Sequence, residues 1–533
     1  MQRDLPLPKG PYDVAIVGGG INGTAIAREA VGRGLRVLLL EKGDLASGTS
    51  SASSKMIHGG IRYLEQSRFG LVFESLMERH HLLRLAPHLV RPQEFVLPVY
   101  QNSRRGLRVM KLGLWLYDKL CLGRRLGRSV SLTPDELLAR LPELSPDGLL
   151  GGGTYWDAVM DDARLVVVNA VAAQEDAAKR SVPFGLRTYT EVTKLHAGQP
   201  NRLELHDHLL ERDEEITAHR VIFTQGPWSE RELLVPSRGT HIVLPRMARV
   251  SDGLLLEHSD DGRVFFIIPW LGRTLVGTTE VPYDGPADRV FPERPEVEYL
   301  LAELRRRFPG LPIQPADLLG VFAGIRPLAR RPGKALTGPG AVSREHRIVD
   351  EGGGVFRVIG GKYTTYRAIA RQVARQVFGH ADHSIADQPL PGGELGGWSA
   401  ARDQLGPEIQ LVGEESCERL FQRYGSRLRD VLALGRANTE LLDPLPSGGH
   451  ALGAEVVYGV RHEFVTCADD FLERRTDLRY SPDQGRSAYD DTARHIESEL
   501  PASRAGDPAR KETFLERRQR ELRVLGRPAP AAP

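Results

Sequence analysis

Asp13–Glu41 reads DVAIVGGGINGTAIAREAVGRGLRVLLLE, and the spacing of its apolar residues and glycines decides the fold. Val14–Val17 is a short apolar run that stops at Gly18-Gly19-Gly20; a helical stretch follows, and Leu35–Leu40 is a second apolar run that stops at an acid, Glu41. Two such runs separated by a helix read as parallel strands buried on both faces. Gly18, Gly20 and Gly23 stand at GxGxxG spacing. The first permits a tight turn, the second lets backbone approach a pyrophosphate, and the third lets helix and strand pack closely. The phosphates would sit on the helix N-terminus. Glu41 would accept hydrogen bonds from an adenosine ribose and repel a 2′-phosphate, which favours FAD or NAD over NADP.

The 533 residues around this unit are enough for more than one domain. A hydrophobic fraction of 41% and a charged fraction of 26% indicate a folded globular protein, and a net charge of +2 gives no electrostatic ground for a nucleic-acid partner. Cys121, Cys417 and Cys467 are too few and too far apart for a disulfide framework or a thiolate metal cluster. His80-His81 lacks a second ligand pair, so no metal site is expected. The opening residues have no signal-peptide core, and no run reaches the roughly 18 apolar residues of a spanning helix. Neither secretion nor membrane spanning is expected.

Next after the βαβ unit, Ser47–Leu64 reads SGTSSASSKMIHGGIRYL, too rich in Ser and Gly for a core element. Its hydroxyls and N–H groups can line a pyrophosphate and ribitol, and Gly59-Gly60 permits approach to a flat ring. Arg62 can clamp a phosphate or carboxylate with two hydrogen bonds, or form a surface ion pair.

GGGINGTAIA, SGTSSASSKMIHGGIRYLE, DDARLV, GTHIVLPR, FIIPW, GTTE, GIRPLA and GGKYTTYR occur in this order between Val14 and about Arg367. With AEVVYGVRHEFVTCADDFLERRT from Ala454, the series resembles the FAD-dependent, quinone-linked glycerol-3-phosphate dehydrogenase family over nearly the whole chain. The resemblance implies an α/β fold of D-amino-acid-oxidase type. A discontinuous Rossmann-like FAD-binding domain (1–80, 150–235 and 320–385) would carry an inserted α+β substrate domain (81–149 and 236–319), with an all-helical C-terminal domain at 395–533. FAD contacts are implied at Gly18, Gly20, Asn22, Gly23, Glu41, Thr49, Ser50, Ser51, His58, Gly59, Gly60, Gly226, Gly361, Lys362 and Thr364. Arg62, Tyr63, Arg326, Arg344 and Lys362 would bind substrate, and His241, Arg326 and Lys362 would be catalytic. The chain departs from the family pattern at Thr224-Gln225, where relatives carry small residues, and at Tyr363, commonly Leu.

The implied reaction takes hydride from carbon 2 of sn-glycerol 3-phosphate to the flavin and leaves dihydroxyacetone phosphate. Neutral imidazole accepts a hydroxyl proton near pH 7, which suits His241, although a lone His is as readily structural. Lys362 would add positive charge beside the flavin. Electrons would pass to a membrane quinone from a cytoplasmic enzyme held peripherally on an anionic surface, and a homodimer is left open. An oxidase that uses oxygen, and a non-catalytic FAD-stabilised membrane-binding scaffold, are the alternatives.

The remaining segments supply architecture. Arg68–Leu89 has helical periodicity and Glu94–Tyr100 reads as a strand. Arg104–Arg128 is basic and amphipathic with Trp115 and Tyr117, fit either for an anionic membrane interface or for packing with solvated basic ends. Thr133-Pro134-Asp135-Glu136 starts a helix, and Asp157, Asp161 and Asp162 are read as helix-capping acids. Strands at Val264–Trp270 and Thr274–Thr279 predict a mixed or antiparallel sheet, and a Gly/Pro-rich stretch from Ala386 to Ala400 separates it from helical sequence.

Overall fold

The computed structural model describes residues 10–247, 252–330, 345–379, 387–446, 450–500 and 505–527, so Arg344 lies outside the described residues. The opening unit folds as read: strand β1 (Tyr12–Val17), helix α1 (Ile21–Gly32) and strand β2 (Val37–Leu40). β1 lies between β2 and Arg212–Phe223, parallel to both, and Phe184–Arg187 and Val355–Ile359 extend the parallel core on either side. Antiparallel strands complete an eight-stranded sheet. Helices α1, Asp162–Arg180 and Tyr366–Phe378 cover it, and together they bury Ile26, Val31, Val167, Val171, Ile369 and Val373.

A ten-stranded, largely antiparallel sheet forms the second unit. Near one edge of it, strand Leu234–Pro245 pairs with Gly320–Ala329 on one side and Arg273–Gly277 on the other. Leu149–Met160 pairs along its length with Val90–Tyr100. The boundaries drawn from sequence at 150 and 320 are therefore displaced, because Leu149–Met160 and Gly320–Ala329 are strands of the second sheet. Leu149–Met160 leads straight into the helix Asp162–Arg180 on the cofactor side, so periodicity changes too late to mark that crossing.

Helices α2 (Phe69–Leu85) and α3 (Leu107–Leu120) pack together at one end of this sheet. On α3, Met110, Leu114 and Tyr117 are buried, while Val109, Leu112 and Trp115 on other faces are exposed. The helix is thus packed on one side and presents apolar surface on the other. Thr133 caps its helix with a full capping box to Glu136. Of the three acids read as caps, only Asp161 caps, accepting from the Arg164 N–H. Asp157 instead pairs with Arg79 and Tyr117 in the interior, and Asp162 with Lys55.

Helices from Gly406 to Val524 form the C-terminal unit around Leu420, Phe421, Val456, Phe471 and Ile496. Its last helix, Pro508–Val524, returns to the substrate side, where Leu525 joins the core beneath the second sheet. Among the described residues no helix is long and apolar enough to cross a membrane.

Candidate active site

A cavity of about 460 Å³ runs between the two sheets, from Glu41 and Val192 past the glycine turn to His241, Arg326 and Lys362. Its outer end is built from backbone. A Cβ at Gly23 would stand 1.9 Å from the Gly18 carbonyl oxygen, so only glycine lets α1 approach β1 this closely. Gly18 has φ of +116°, and a Cβ there would lie 2.6 Å from the Thr224 carbonyl. The Thr224 hydroxyl donates to the Gly18 carbonyl at 2.9 Å and so ties the neighbouring strand to the turn. Glu41 accepts from the N–H groups of Gly19 at 2.6 Å and Gly43 at 2.8 Å. Burial pushes its carboxyl above the usual range against those two N–H groups. Its remaining lone pairs can still accept from a ribose. The Oδ1 of Asn22, in the first turn of α1, lines this end buried and without a hydrogen-bond partner. A helix N-terminus whose cap residue, Gly20, has no side chain and whose first N–H meets only the Ser50 hydroxyl, an orphaned amide oxygen and a pinned carboxylate fit a dinucleotide.

The inner end is built from side chains of the second sheet. His241 pairs in register with Gly277 on one neighbouring strand and Phe322 on the other. Alternation then puts Ser237, Gly239 and His241 on the same face as Arg326, Gly324 and Phe322. The His241 ring stacks on Phe322 with centroids 4.9 Å apart, and its Nε2 lies 2.9 Å from Ser54 Oγ. Gly277 makes room for that ring, since a Cβ there would stand 2.2 Å from Cδ2. Gly239 does the same for Arg326, whose Nη2 would lie 2.4 Å from an added Cβ. Arg326 donates to Thr278 Oγ1 at 2.8 Å. His241 is only 2% exposed. Burial, with Arg326 and then Lys55 nearby, holds its imidazole well below the usual range, hence neutral. Lys362 is buried with Nζ 3.9 Å from the Tyr63 ring centre and 3.3 Å from Ser75 Oγ.

Of the residues singled out from sequence, Gly18, Gly20, Asn22, Glu41, Thr49, Ser50, His58, Tyr63, Gly226, His241, Arg326, Gly361, Lys362 and Thr364 line this cavity. Gly23, Gly59 and Gly60 act behind it: Gly59 donates its N–H to Tyr117 at 3.0 Å, and Gly60 takes φ of +78° to pass the Tyr63 ring. Ser51 faces an adjoining cavity, and Arg62 stands half-buried outside the lining, on the turn that carries Tyr63 inward. Sequence reasoning missed Ser54, Lys55, Gly239, Gly277 and Thr278. Ser54 and Lys55 lay inside a recognised run, and the two glycines lay in strands where only the cross-strand register reveals their neighbour.

The model of the FAD dependent oxidoreductase family matches residues 13–375, and that of the C-terminal domain of alpha-glycerophosphate oxidase matches 384–506. Glycerol-3-phosphate dehydrogenase from Synechocystis sp. is 35% identical over 87% of this chain and 88% of its own. D-erythritol 1-phosphate dehydrogenase from Brucella abortus is 36% identical over 87% and 94%. The glycerol-3-phosphate dehydrogenase of Bacillus halodurans, solved with FAD, superposes with a TM-score of 0.77 over 96% of both chains at 24% identity, which shows a shared fold. The cavity end that fits a dinucleotide and these matches along the chain agree, and the protein is an FAD-dependent oxidoreductase that belongs to the FAD-dependent glycerol-3-phosphate dehydrogenase family.

Proposed function

We propose that the enzyme oxidises sn-glycerol 3-phosphate at carbon 2 to dihydroxyacetone phosphate. The observation that carries this reading is a buried neutral imidazole, His241, on the same sheet face as a guanidinium, Arg326, in one cavity with Lys362. Bound FAD supplies the hydride acceptor for carbon 2. His241 takes the hydroxyl proton, and Ser54 holds its ring in place. Arg326 and Lys362 bind the anionic handle and polarise the oxygen, and the aromatic and glycine walls exclude water from the reacting bond. Arg62 serves as an outer phosphate ligand beside Tyr63.

The reading includes a membrane quinone as final acceptor and peripheral attachment to the cytoplasmic face of the membrane. Supporting it, Val109, Leu112, Trp115 and Leu122 are exposed around α3, and Phe69 and Phe73 on α2 add to them. Arg108, Lys111 and Arg124 stand exposed among these residues, whereas Arg105 is engaged by Glu65 and Glu257. Anaerobic addition of glycerol 3-phosphate to FAD-loaded enzyme should bleach the flavin, and faster than D-erythritol 1-phosphate does. Quinone reduction should then exceed peroxide formation in air. No bleaching with either phosphate removes the reading; peroxide as the main product replaces the quinone with oxygen.

A further inference from the structure

The segment Glu41–Ser47, which would frame the adenosine end of FAD, is held from behind by the C-terminal helical unit. Asp44, three residues after Glu41, is fully buried. Arg475 grips its two oxygens at 2.7 and 2.8 Å, and Arg474 donates to the same carboxylate through Nε. Both arginines belong to a single five-residue turn, Phe471–Arg475. Arg474 also reaches Asp470 at 3.2 Å, and Asp470 accepts from the Tyr189 hydroxyl at 2.5 Å.

Tyr189 is on the second arm of the frame. Its N–H donates to the Gly43 carbonyl at 2.9 Å, and the N–H of Thr190 donates to the Glu41 carbonyl at 2.8 Å. Glu41, Lys42, Thr190 and Glu191 all line the cavity. Residues 467–475 therefore fasten both arms at once, one through Asp44 and one through Tyr189. The Gly43 N–H that orients the Glu41 carboxylate belongs to the residue directly before Asp44. Moving Asp44 thus moves the donor that aims Glu41.

We propose that the C-terminal helical unit is part of the cofactor site, with Arg474 and Arg475 acting through Asp44 as positioning residues for the adenosine-binding loop. Neither arginine touches the cavity's dinucleotide end; they set the loop that does. A bidentate arginine fixes direction as well as charge, which a lysine cannot do. The assignment gives the helical unit a role in retaining FAD that a separate appended domain would not have.

The test measures the rate at which FAD leaves the intact holoenzyme, followed by the rise in flavin fluorescence well below the unfolding temperature. Asp44→Asn and Arg475→Lys should each speed release by about tenfold or more, within the usual range of coupling between linked sites. The control is Glu463→Gln. Glu463 forms a second buried bidentate pair across this interface, with Arg164; its backbone carbonyl accepts from Arg475 at 3.1 Å, a bond the substitution keeps, and its side chain touches neither arm of the frame. It should lower the melting temperature while leaving FAD release within about twofold of the parent, since an unpaired buried arginine destabilises without moving the loop. Parent-like release in Asp44→Asn and Arg475→Lys, or equal acceleration in Glu463→Gln, would overturn the proposal. If neither loop variant folds, the unaltered chain decides. Coupling is reciprocal, so stripping FAD should raise amide exchange at 467–475 together with 41–48 and leave 454–463 unchanged. Unchanged exchange at 467–475 would contradict it.

Discussion

The two ends of the cavity are made of different material. The cofactor end is mostly backbone: one contiguous stretch, Val17–Glu41, supplies the turn, the helix terminus and the Glu41 carboxylate proposed to meet the ribose. The substrate end is side chains drawn from Ser54, His241, Arg326 and Lys362, four segments that meet only when the second sheet packs against the first. A site built from local backbone tolerates no side chain at its glycines. A site built from converging side chains is lost piece by piece, and its pieces separate in experiment.

The largest effect should come from breaking the cofactor end alone. Gly20→Val places a branched side chain where the pyrophosphate approaches, with Ser50 Oγ already 3.1 Å from the first added carbon. The purified variant should be colourless; stoichiometric FAD in it would mean that the turn is not the phosphate site.

Next in size is the base. His241→Gln should keep its FAD but slow flavin reduction by glycerol 3-phosphate by about 10²–10⁴-fold, the usual contribution of a positioned base. A variant that reduces flavin at the parent rate assigns proton removal elsewhere.

Each end also has a glycine that serves a neighbour, and this sharpens the contrast. Arg326→Ala should lower kcat/KM for glycerol 3-phosphate by at least about tenfold, since a charge-assisted hydrogen bond is worth roughly 1.5–3 kcal/mol. Gly239→Ala should reproduce much of that loss with full FAD content, because its methyl would occupy the Arg326 position. Steady-state assays that show normal kinetics in Gly239→Ala would mean Arg326 moves aside without cost.

These positions also explain what was legible in the sequence. Gly18, Gly20, Gly23 and Glu41 were readable because their roles depend on spacing within one βαβ unit. His241 and Arg326 could be named through a resemblance, but their union on one face is a property of register, with His241 opposite Phe322 and Ser237 opposite Arg326. The need for glycine at 239 and 277 was invisible, since the atoms that exclude a Cβ come from residues 36 or more positions away. The same holds for Asp44, whose partners lie about 430 residues downstream. Thr224 read as a departure from pattern and proved to be a hydrogen bond to the glycine turn.

The smallest effect should come from the outer surface, which touches neither end. Replacing Arg108, Lys111 and Arg124 with Gln should weaken binding to anionic vesicles by up to about 1 kcal/mol per charge, and added salt should weaken the parent. Quinone turnover in vesicles should slow modestly while flavin reduction in solution stays at the parent rate. Unchanged vesicle binding would assign α3 a packing role only.

The central claim is that His241 works as a neutral base poised by burial and by the Arg326 charge. The most direct measurement is the anaerobic rate of flavin reduction by glycerol 3-phosphate, by rapid mixing, across pH 5.5–8.5. An ordinary histidine would lose its base form as pH falls through about 6.5. Because the imidazole is held well below that range, the parent rate should stay nearly flat to the acid end of the series, and His241→Gln should be slow throughout. A parent rate that falls tenfold per unit below about pH 6.5, or a His241→Gln variant that matches the parent, would contradict the account.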